Sequence, residues 1–291
     1  MNILHEIMRG VWFMDPAYAQ NYLPVVANLL KGDIARAGQM EQDFKPQNQE
    51  AFIMSGGKPH SVEVSDLLYN PDQITEPSIF STHVIGPVTK YDQFCGPAGM
   101  KTKSNWMQMA DEHPNIFAHL LRLDSGGGEG YAGRLMTETV KQLKKPVFAF
   151  VDDMAASAAY MIASAADHIT INSNQARVGS VGTYISIYDY QNYFEKEGIR
   201  IVDVYAKQSS EKNQDYIRAI NGDLSGIQTL VDQFNDFFLS SIQQNRGEHL
   251  TSDEWNTGKM FFADDAIRIG LADNVAPLNV LLTSIFNEYK P

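Results

Sequence analysis

The chain has 291 residues, of which 44% are hydrophobic and 20% charged, which is typical of a globular protein with a full core. Its formal net charge of −12 argues against a nucleic-acid-binding surface, because phosphate contacts need clustered lysine and arginine. The single cysteine, Cys95, excludes a disulfide within the chain and fits a reducing compartment. No window has the roughly 18 uninterrupted apolar residues of a membrane span, and the N-terminal stretch lacks a signal peptide's apolar core. We therefore expect a cytoplasmic protein without a membrane span.

The first quarter of the chain predicts two helical segments and then an irregular arm. Apolar residues between positions 4 and 31 recur at helical spacing, with Pro16 between the two segments. From Gly32 to about Glu76 this pattern is lost among polar residues, glycine and proline. We predict an irregular arm there, which could contact another copy of the chain.

From Ile79 onward, short apolar runs alternate with segments of helical periodicity. This alternation predicts β-α-β units and a mainly parallel sheet, and therefore an α/β fold. The predicted strands cover residues 80–88, 116–123, 146–151, 168–172, 200–205 and 260–262. The predicted helices cover residues 102–112, 131–143, 188–197 and 224–244, with a last unit at 251–270.

One stretch, Phe148 to Tyr160, is a candidate for a nucleophile at a strand-to-helix turn. Its buried-strand pattern ends at two aspartates, and a run of small residues with Ser157 in its middle follows. Small neighbours let other backbone approach the Ser157 hydroxyl, and a helix N-terminus presents unpaired N–H groups beside it. A tightly packed helix start would have the same composition.

Three consecutive glycines, Gly126 to Gly128, follow a predicted strand and precede a predicted helix. They do not have the spacing of a dinucleotide-binding loop. An oxyanion hole is the other interpretation, because a glycine N–H can face a reacting carbonyl with no side chain in the way. A structural turn would need fewer glycines than three in a row.

A base for Ser157 is not obvious among the histidines. The seven histidines are scattered, no metal-binding His or Cys motif is present, and no serine lies in a G-x-S-x-G elbow. A lysine can serve if burial or nearby positive charge keeps its amine neutral. Lys207 and Lys212 both lie in the polar segment after a predicted strand, and residues alone leave the choice open.

Four motifs in order resemble the signal peptide peptidase A family of serine proteases, which has the Clp protease and crotonase fold. They are Asp-Ser-Gly-Gly-Gly at 124–128, Met-Ala-Ala-Ser-Ala-Ala-Tyr at 154–160, Gly-Ser-Val-Gly at 179–182, and the closing segment 255–273. The similarity covers about residues 80 to 275. The predicted N-terminal helices resemble those of the short members that phages and prophages carry.

The resemblance implies a Ser-Lys dyad. Ser157 takes the place of the family's nucleophilic serine. Segment 207–212 reproduces the spacing of the family's lysine pattern, which makes Lys212 the general base and Lys207 its non-catalytic companion. A gap in this short segment would exchange the two lysines.

The resemblance also implies the groups around the dyad. The backbone N–H of Gly128 or Gly127, together with that of Ala158, would form the oxyanion hole, and Ser180 could orient the lysine. The chain departs from the family at Gly126, where proline is usual, and at Ala158 and Ala159, where glycines are usual.

We therefore expect a Clp/crotonase-like β-α superhelix with an N-terminal helical extension. Its domains would be an extension at 1–78, a peptidase domain at 79–275 and a tail at 276–291. The expected activity is that of a serine endopeptidase on extended or unfolded polypeptide, without metal, nucleotide or coenzyme, in a homo-oligomer. A phage-type member would process capsid or scaffold protein and be associated with the prohead.

Three alternatives remain open at this point. The peptidase could degrade residual signal peptides. The chain could be a catalytically inactive assembly protein, for which the changes at Gly126, Ala158 and Ala159 are the best support. It could also be a crotonase-like acyl-CoA enzyme, which would need neither Ser157 nor Lys212.

Overall fold

The computed structural model describes residues 12–14, 49–64, 72, 74–93, 97–187, 189, 191–196, 198–200 and 202–291. The strands are β1 Trp12–Met14, β2 Gln49–Ser55, β3 Lys58–Val64, β4 Ser78–Ile85, β5 Ile116–Ser125, β6 Gly127–Glu129, β7 Val147–Ala156, β8 His168–Ile171, β9 Arg177–Gly179, β10 Met260–Phe262 and β11 Asn274–Val275. The helices are α1 Met100–Glu112, α2 Gly130–Gln142, α3 Ala158–Ser164, α4 Gln191–Lys196, α5 Gln214–Ile220, α6 Ser225–Arg246, α7 Ala263–Arg268 and α8 Leu278–Tyr289. A short 3₁₀ helix spans Asp253–Asn256.

The main sheet has the order β10-β9-β7-β5-β4-β2-β3. Strands β4, β5 and β7 pair in parallel, and β7 pairs in parallel with β8 along its first half and with β9 along its second half. Antiparallel strands close both ends, β10 beside β9 and the β2–β3 hairpin beside β4. The predicted α/β fold with a mostly parallel sheet is confirmed.

Helices cover both faces of this sheet, because successive residues of a strand point to opposite faces. On one face, Leu121 and Leu123 of β5 belong to a core with residues of α1, α2, α3 and α6. On the other face, Leu120 of β5 and Phe150 of β7 form a second core with α8. Two-sided burial explains why β7 reads as a continuous apolar run.

The N-terminal predictions need correction. Trp12–Met14 is a strand and not part of a helix, and the rest of the predicted helical segment lies outside the described residues. Residues 49–64, predicted as irregular, form a hairpin whose turn has positive φ at Gly56 and Gly57. A Gly-Gly pair between two strand-forming runs is a hairpin signal, because such turns need positive φ at both central positions.

Two predictions in the second half of the chain are also wrong. Residues 202–206 form no strand, and Val204 is 91% exposed, so this β-branched run does not join the sheet. Residues 278–289, predicted as a tail, form α8 and pack into the second core. The domain boundaries near 78 and 275 stay a prediction.

Candidate active site

Three parallel strands bring the predicted motifs to one edge of the sheet. Ser125 at the end of β5 is paired with Ala155 of β7, and Ala156 at the end of β7 is paired with Gly179 of β9. The carboxyl ends of parallel strands are where α/β proteins place their sites. This edge therefore carries the glycine loop on one side of Ser157 and the Gly-Ser-Val-Gly turn on the other.

Ser157 connects β7 to α3 in a strained conformation. Its φ of 55° and ψ of −118° are unusual for a residue with a side chain, and it is the N-cap of α3, one residue before the helix begins. Its N–H donates to the Gly179 carbonyl at 2.8 Å, and its carbonyl accepts from the Met161 N–H at 2.9 Å. Such strain persists where the surroundings enforce it, which is common at functional sites.

The Ser157 hydroxyl has no structural task within the described part of the chain. A serine at an N-cap usually accepts a hydrogen bond from its helix, but Ser157 makes no such bond. Its Oγ is buried and has no hydrogen-bond partner. An unpaired buried hydroxyl costs stability, so its presence at a strained turn favours a reactive role.

Small residues allow helices to pack closely around Ser157. Ala155, Ala156, Ala158 and Ala159 are all buried. On α2, a Cβ added at Gly133 would lie 3.1 Å from the Ala158 Cβ, so this contact has no spare room. The alanines at 158 and 159 therefore lie in a packed helix start.

The glycine loop has a defined hydrogen-bond pattern. Gly127, with φ of 96°, donates its N–H to Ser125 Oγ at 3.1 Å, and Ser125 Oγ donates to the Gly86 carbonyl at 2.5 Å. Val88 donates its N–H to the Gly127 carbonyl at 2.9 Å and accepts from the Glu129 N–H at 2.8 Å. The Gly127 N–H is therefore committed to Ser125, which leaves Gly128 as the better oxyanion candidate.

The backbone surroundings of Gly128 and Ala158, the two candidate oxyanion donors, are as follows, and their role stays a prediction. A Cβ at Gly128 would collide with the backbone of Val88, so only glycine fits there. Ala158 is the first residue of α3, where the helix itself provides no acceptor for the N–H. Helix α3 contacts β6, which brings the two backbone segments to the same site.

Ser180 lies beside Ser157, because the residue before it, Gly179, accepts the Ser157 N–H. It is buried, has φ of 52°, and donates its own N–H to the Lys259 carbonyl at 2.8 Å. Its predicted role in orienting a lysine stays a prediction.

The structure does not bring the predicted lysines to Ser157. Lys207 and Lys212 are exposed in the turns before α5, where the Lys212 N–H donates to the Ser209 carbonyl at 3.2 Å. Helix α5 packs on α6, and Ser157 Oγ has no partner in the described structure. The Ser157–Lys212 dyad is therefore not formed in this arrangement and stays a prediction.

A different lysine, Lys103, is buried. It lies on α1, and burial lowers its pKa to about 8, although Asp92 acts in the opposite direction. The sequence places it among polar residues of a predicted helix, so its burial could only emerge from packing. Helix α1 contacts α2, β4 and β5.

Two features, a cluster of metal ligands and a membrane-spanning helix, are not found among the described residues. No three His, Cys, Asp or Glu side chains in that part of the chain are grouped as metal ligands. None of the helices described there has the length and apolar character needed to cross a bilayer.

Comparison with known proteins assigns the chain to a family. The model of Peptidase family S49 matches residues 139–288, just over half of the chain, including Ser157 and the whole of α3. The chain belongs to peptidase family S49. The predicted relationship to the signal peptide peptidase A family is confirmed.

Three similar proteins illustrate the range of S49 relatives and structural neighbours. Protease 4 of Haemophilus influenzae is 26% identical over 77% of this chain and 38% of its own length. Capsid assembly protease C of Escherichia phage lambda is 25% identical over 58% of this chain and 39% of its own length. A structure of a ClpP1 mutant from Listeria monocytogenes is 13% identical, with a TM-score of 0.43 over 72% of this chain and 96% of that one. The chain thus spans about two fifths of the length of these two curated relatives.

Proposed function

We propose that this S49 chain is a serine endopeptidase that uses Ser157 as its nucleophile. The observation that carries the proposal is the Ser157 hydroxyl, which is buried, unpaired and held at a strained strand-to-helix turn. The adjacent Gly128 and Ala158 supply backbone N–H groups of the kind that stabilise an oxyanion.

The proposed reaction follows acyl transfer. The neutral amine of Lys212 takes the Ser157 Oγ proton as Oγ attacks the peptide carbonyl carbon, and the resulting oxyanion accepts hydrogen bonds from Gly128 and Ala158. The C–N bond then breaks, and Lys212 returns the proton to the leaving amine. Water hydrolyses the ester by the same steps, which releases the acid and restores Ser157.

The dyad requires a further approach of the 207–212 segment. Because Lys212 is exposed and Ser157 is buried, we place dyad formation in the assembled or substrate-bound enzyme. Exposed apolar side chains precede and follow this segment in the sequence, and such side chains fit a contact with another copy of the chain. They include Val202, Val204, Tyr216, Leu224, Leu230 and Phe237.

We infer that the substrate is extended or unfolded polypeptide, because the exposed edge of a strand binds an extended polypeptide through main-chain hydrogen bonds. The similarity to the lambda capsid assembly protease favours capsid or scaffold protein as the natural substrate. Signal peptide degradation is the competing role, and a screen of both substrate types separates the two.

The test compares wild type with Ser157→Ala, Lys212→Ala and Lys207→Ala on a denatured protein, with products identified by mass spectrometry. We expect Ser157→Ala and Lys212→Ala each to lose about 10³-fold or more in kcat/KM. Ser164→Ala is the matched control, because Ser164 is a buried serine on the same helix whose hydroxyl donates to the Met161 carbonyl.

The outcomes distinguish the parts of the proposal. Loss of cleavage in Lys207→Ala but not in Lys212→Ala would exchange the two lysines and keep the enzyme class. Full cleavage by Ser157→Ala would refute Ser157 as the nucleophile. Absence of cleavage by wild type at high concentration would favour an assembly protein, and binding of coenzyme A would favour the acyl-CoA enzyme.

A further inference from the structure

Strand β1 lies on the edge of the glycine loop. It pairs antiparallel with β6, with Trp12 opposite Glu129, Phe13 opposite Gly128 and Met14 opposite Gly127. The two strands form a small sheet of their own, separate from the main sheet. A segment far away in sequence therefore contacts the proposed oxyanion strand.

The hydrogen bonds of Val88 determine which groups of β6 face β1. Val88 binds the Gly127 carbonyl and the Glu129 N–H, so these two groups point to the Val88 side of β6. Backbone groups of successive strand residues point to opposite sides, so the N–H and carbonyl of Gly128 point toward β1. The register makes Phe13 the residue that exchanges hydrogen bonds with Gly128.

We propose that residues 12–14 occupy the edge of β6 where an extended polypeptide has to pair, and that they compete with polypeptide for it. This inference rests on the proposed function, in which the Gly128 N–H stabilises the oxyanion. A group that faces the Phe13 carbonyl cannot at the same time serve a substrate carbonyl. Strand β1 is thus an intramolecular inhibitor, and a polypeptide enters antiparallel to β6 when β1 leaves.

The sequence of β1 also indicates which polypeptides the edge of β6 accepts. The segment Trp12–Met14 consists of bulky apolar residues, and it pairs through the main chain. Main-chain pairing gives affinity for any extended polypeptide, whatever its exact sequence. We therefore expect a synthetic peptide with the sequence of residues 9–17 to bind the edge that β1 leaves.

The test uses a proline scan of β1 in the full chain that also carries Ser157→Ala, so that no cleavage complicates binding. Phe13→Pro removes the N–H that faces Gly128, whereas Trp12→Pro removes an N–H that points away from β6. The probe is the fluorescent peptide of residues 9–17, and its Kd is measured by fluorescence anisotropy. We expect at least fivefold tighter binding with Phe13→Pro and an unchanged Kd with the matched control Trp12→Pro.

Hydrogen exchange of the 125–131 segment gives a readout that depends on neither peptide nor catalysis. We expect at least tenfold faster exchange at β6 in Phe13→Pro, and wild-type exchange in Trp12→Pro. A chain that begins at Asp15 removes β1 altogether and has to reproduce both effects. Equal Kd values and equal exchange in all variants would overturn the proposal.

The result is separable from the proposed function. Tighter peptide binding and faster exchange in Phe13→Pro would support the competing strand even if wild type cleaved nothing, in which case the peptidase proposal would fail alone. Conversely, Ser157-dependent cleavage with no effect of Phe13→Pro would support the peptidase and overturn the role of β1.

Discussion

At the scale of the residue, Ser157 combines a backbone cost with an unused hydroxyl. A non-glycine residue in this sparsely populated conformation costs about 1–3 kcal/mol, and an unpaired buried hydroxyl adds to that cost. The backbone bond to Gly179 holds Ser157 in place. The conformation and the unpaired hydroxyl of Ser157 therefore destabilise the fold locally, as expected for a nucleophile that is exposed to substrate at a turn.

Replacing Ser157 by glycine or alanine separates this strain from the hydroxyl. Both variants lose the nucleophile, but only glycine adopts the backbone conformation freely, so we expect Ser157→Gly to be more stable than Ser157→Ala by about 1 kcal/mol. Urea denaturation measures the difference. The same pair of substitutions at Ser164, at the end of α3, is the control, and there alanine should be the more stable one. A Ser157→Gly variant less stable than Ser157→Ala would show that the turn is not strained.

At the scale of the element, an ion pair between a buried arginine and a partly buried aspartate links α6 to the sheet. Arg246 is 1% exposed and donates to both carboxylate oxygens of Asp273, at 2.7 and 3.2 Å, and to the Gly270 carbonyl. Asp273 also accepts the Ile169 N–H of β8 at 2.7 Å. Burial acts to raise the pKa of Asp273, but the bonds from Arg246 and Ile169 outweigh it and lower this pKa.

Removing the arginine should leave the partly buried Asp273 carboxylate without its cation. We expect Arg246→Met to lower the free energy of unfolding by about 3–5 kcal/mol in urea denaturation at neutral pH. The contribution of ionised Asp273 to the free energy of unfolding is complete above its unfolded pKa of about 3.8 and is lost as the pH falls through its lower folded pKa. The stability difference between wild type and Arg246→Met should therefore become smaller in acid. Arg268→Met is the control, because Arg268 pairs with Asp265 on the surface. Equal effects of the two substitutions would contradict the argument.

At the scale of the whole molecule, the sheet is stable only with both faces covered. Helix α8 supplies Leu281, Leu282, Ile285 and Phe286 to the second core, and the rings of Phe286 and Phe117 meet edge to face at 5.3 Å between centroids. Helix α8 therefore covers one face of the sheet that carries the candidate site. Predicting its residues as a tail missed a layer of the fold.

Trimming this helix should destabilise the molecule from a distance. We expect Phe286→Ala to lower the free energy of unfolding by about 3–5 kcal/mol, since it leaves a cavity against β5. Val280→Ala on the half-exposed side of α8 should change it by no more than about 0.5 kcal/mol. Thermal unfolding of both variants measures the contrast. Similar melting temperatures for the two variants would mean that α8 does not cover the core.

Local pattern was sufficient to locate the apolar centres of the central strands. The apolar run of β7 ends where the aspartates begin, but the strand itself continues to Ala156, beyond the predicted end at residue 151. Ser157 follows directly as the N-cap of α3. The same local rules failed for 202–206, where Val202 and Val204 have the composition of a strand but remain exposed. Sequence periodicity indicates which secondary structure a segment prefers, but it does not show whether a partner strand is available to pair with that segment.

The juxtaposition of the site elements was decided by the tertiary structure alone. Gly128 and Ala158 come together because β5 and β7 are parallel and end at the same edge, and Ser180 joins them because β9 pairs with the second half of β7. Lys212 is exposed for a reason of the same kind, since it lies in the turn before α5, and α5 packs on α6. The pairing of Phe13 with Gly128 joins positions that are distant in the chain. Contacts at such separation depend on how strands align in space, and spacing along the chain contains no information about that alignment.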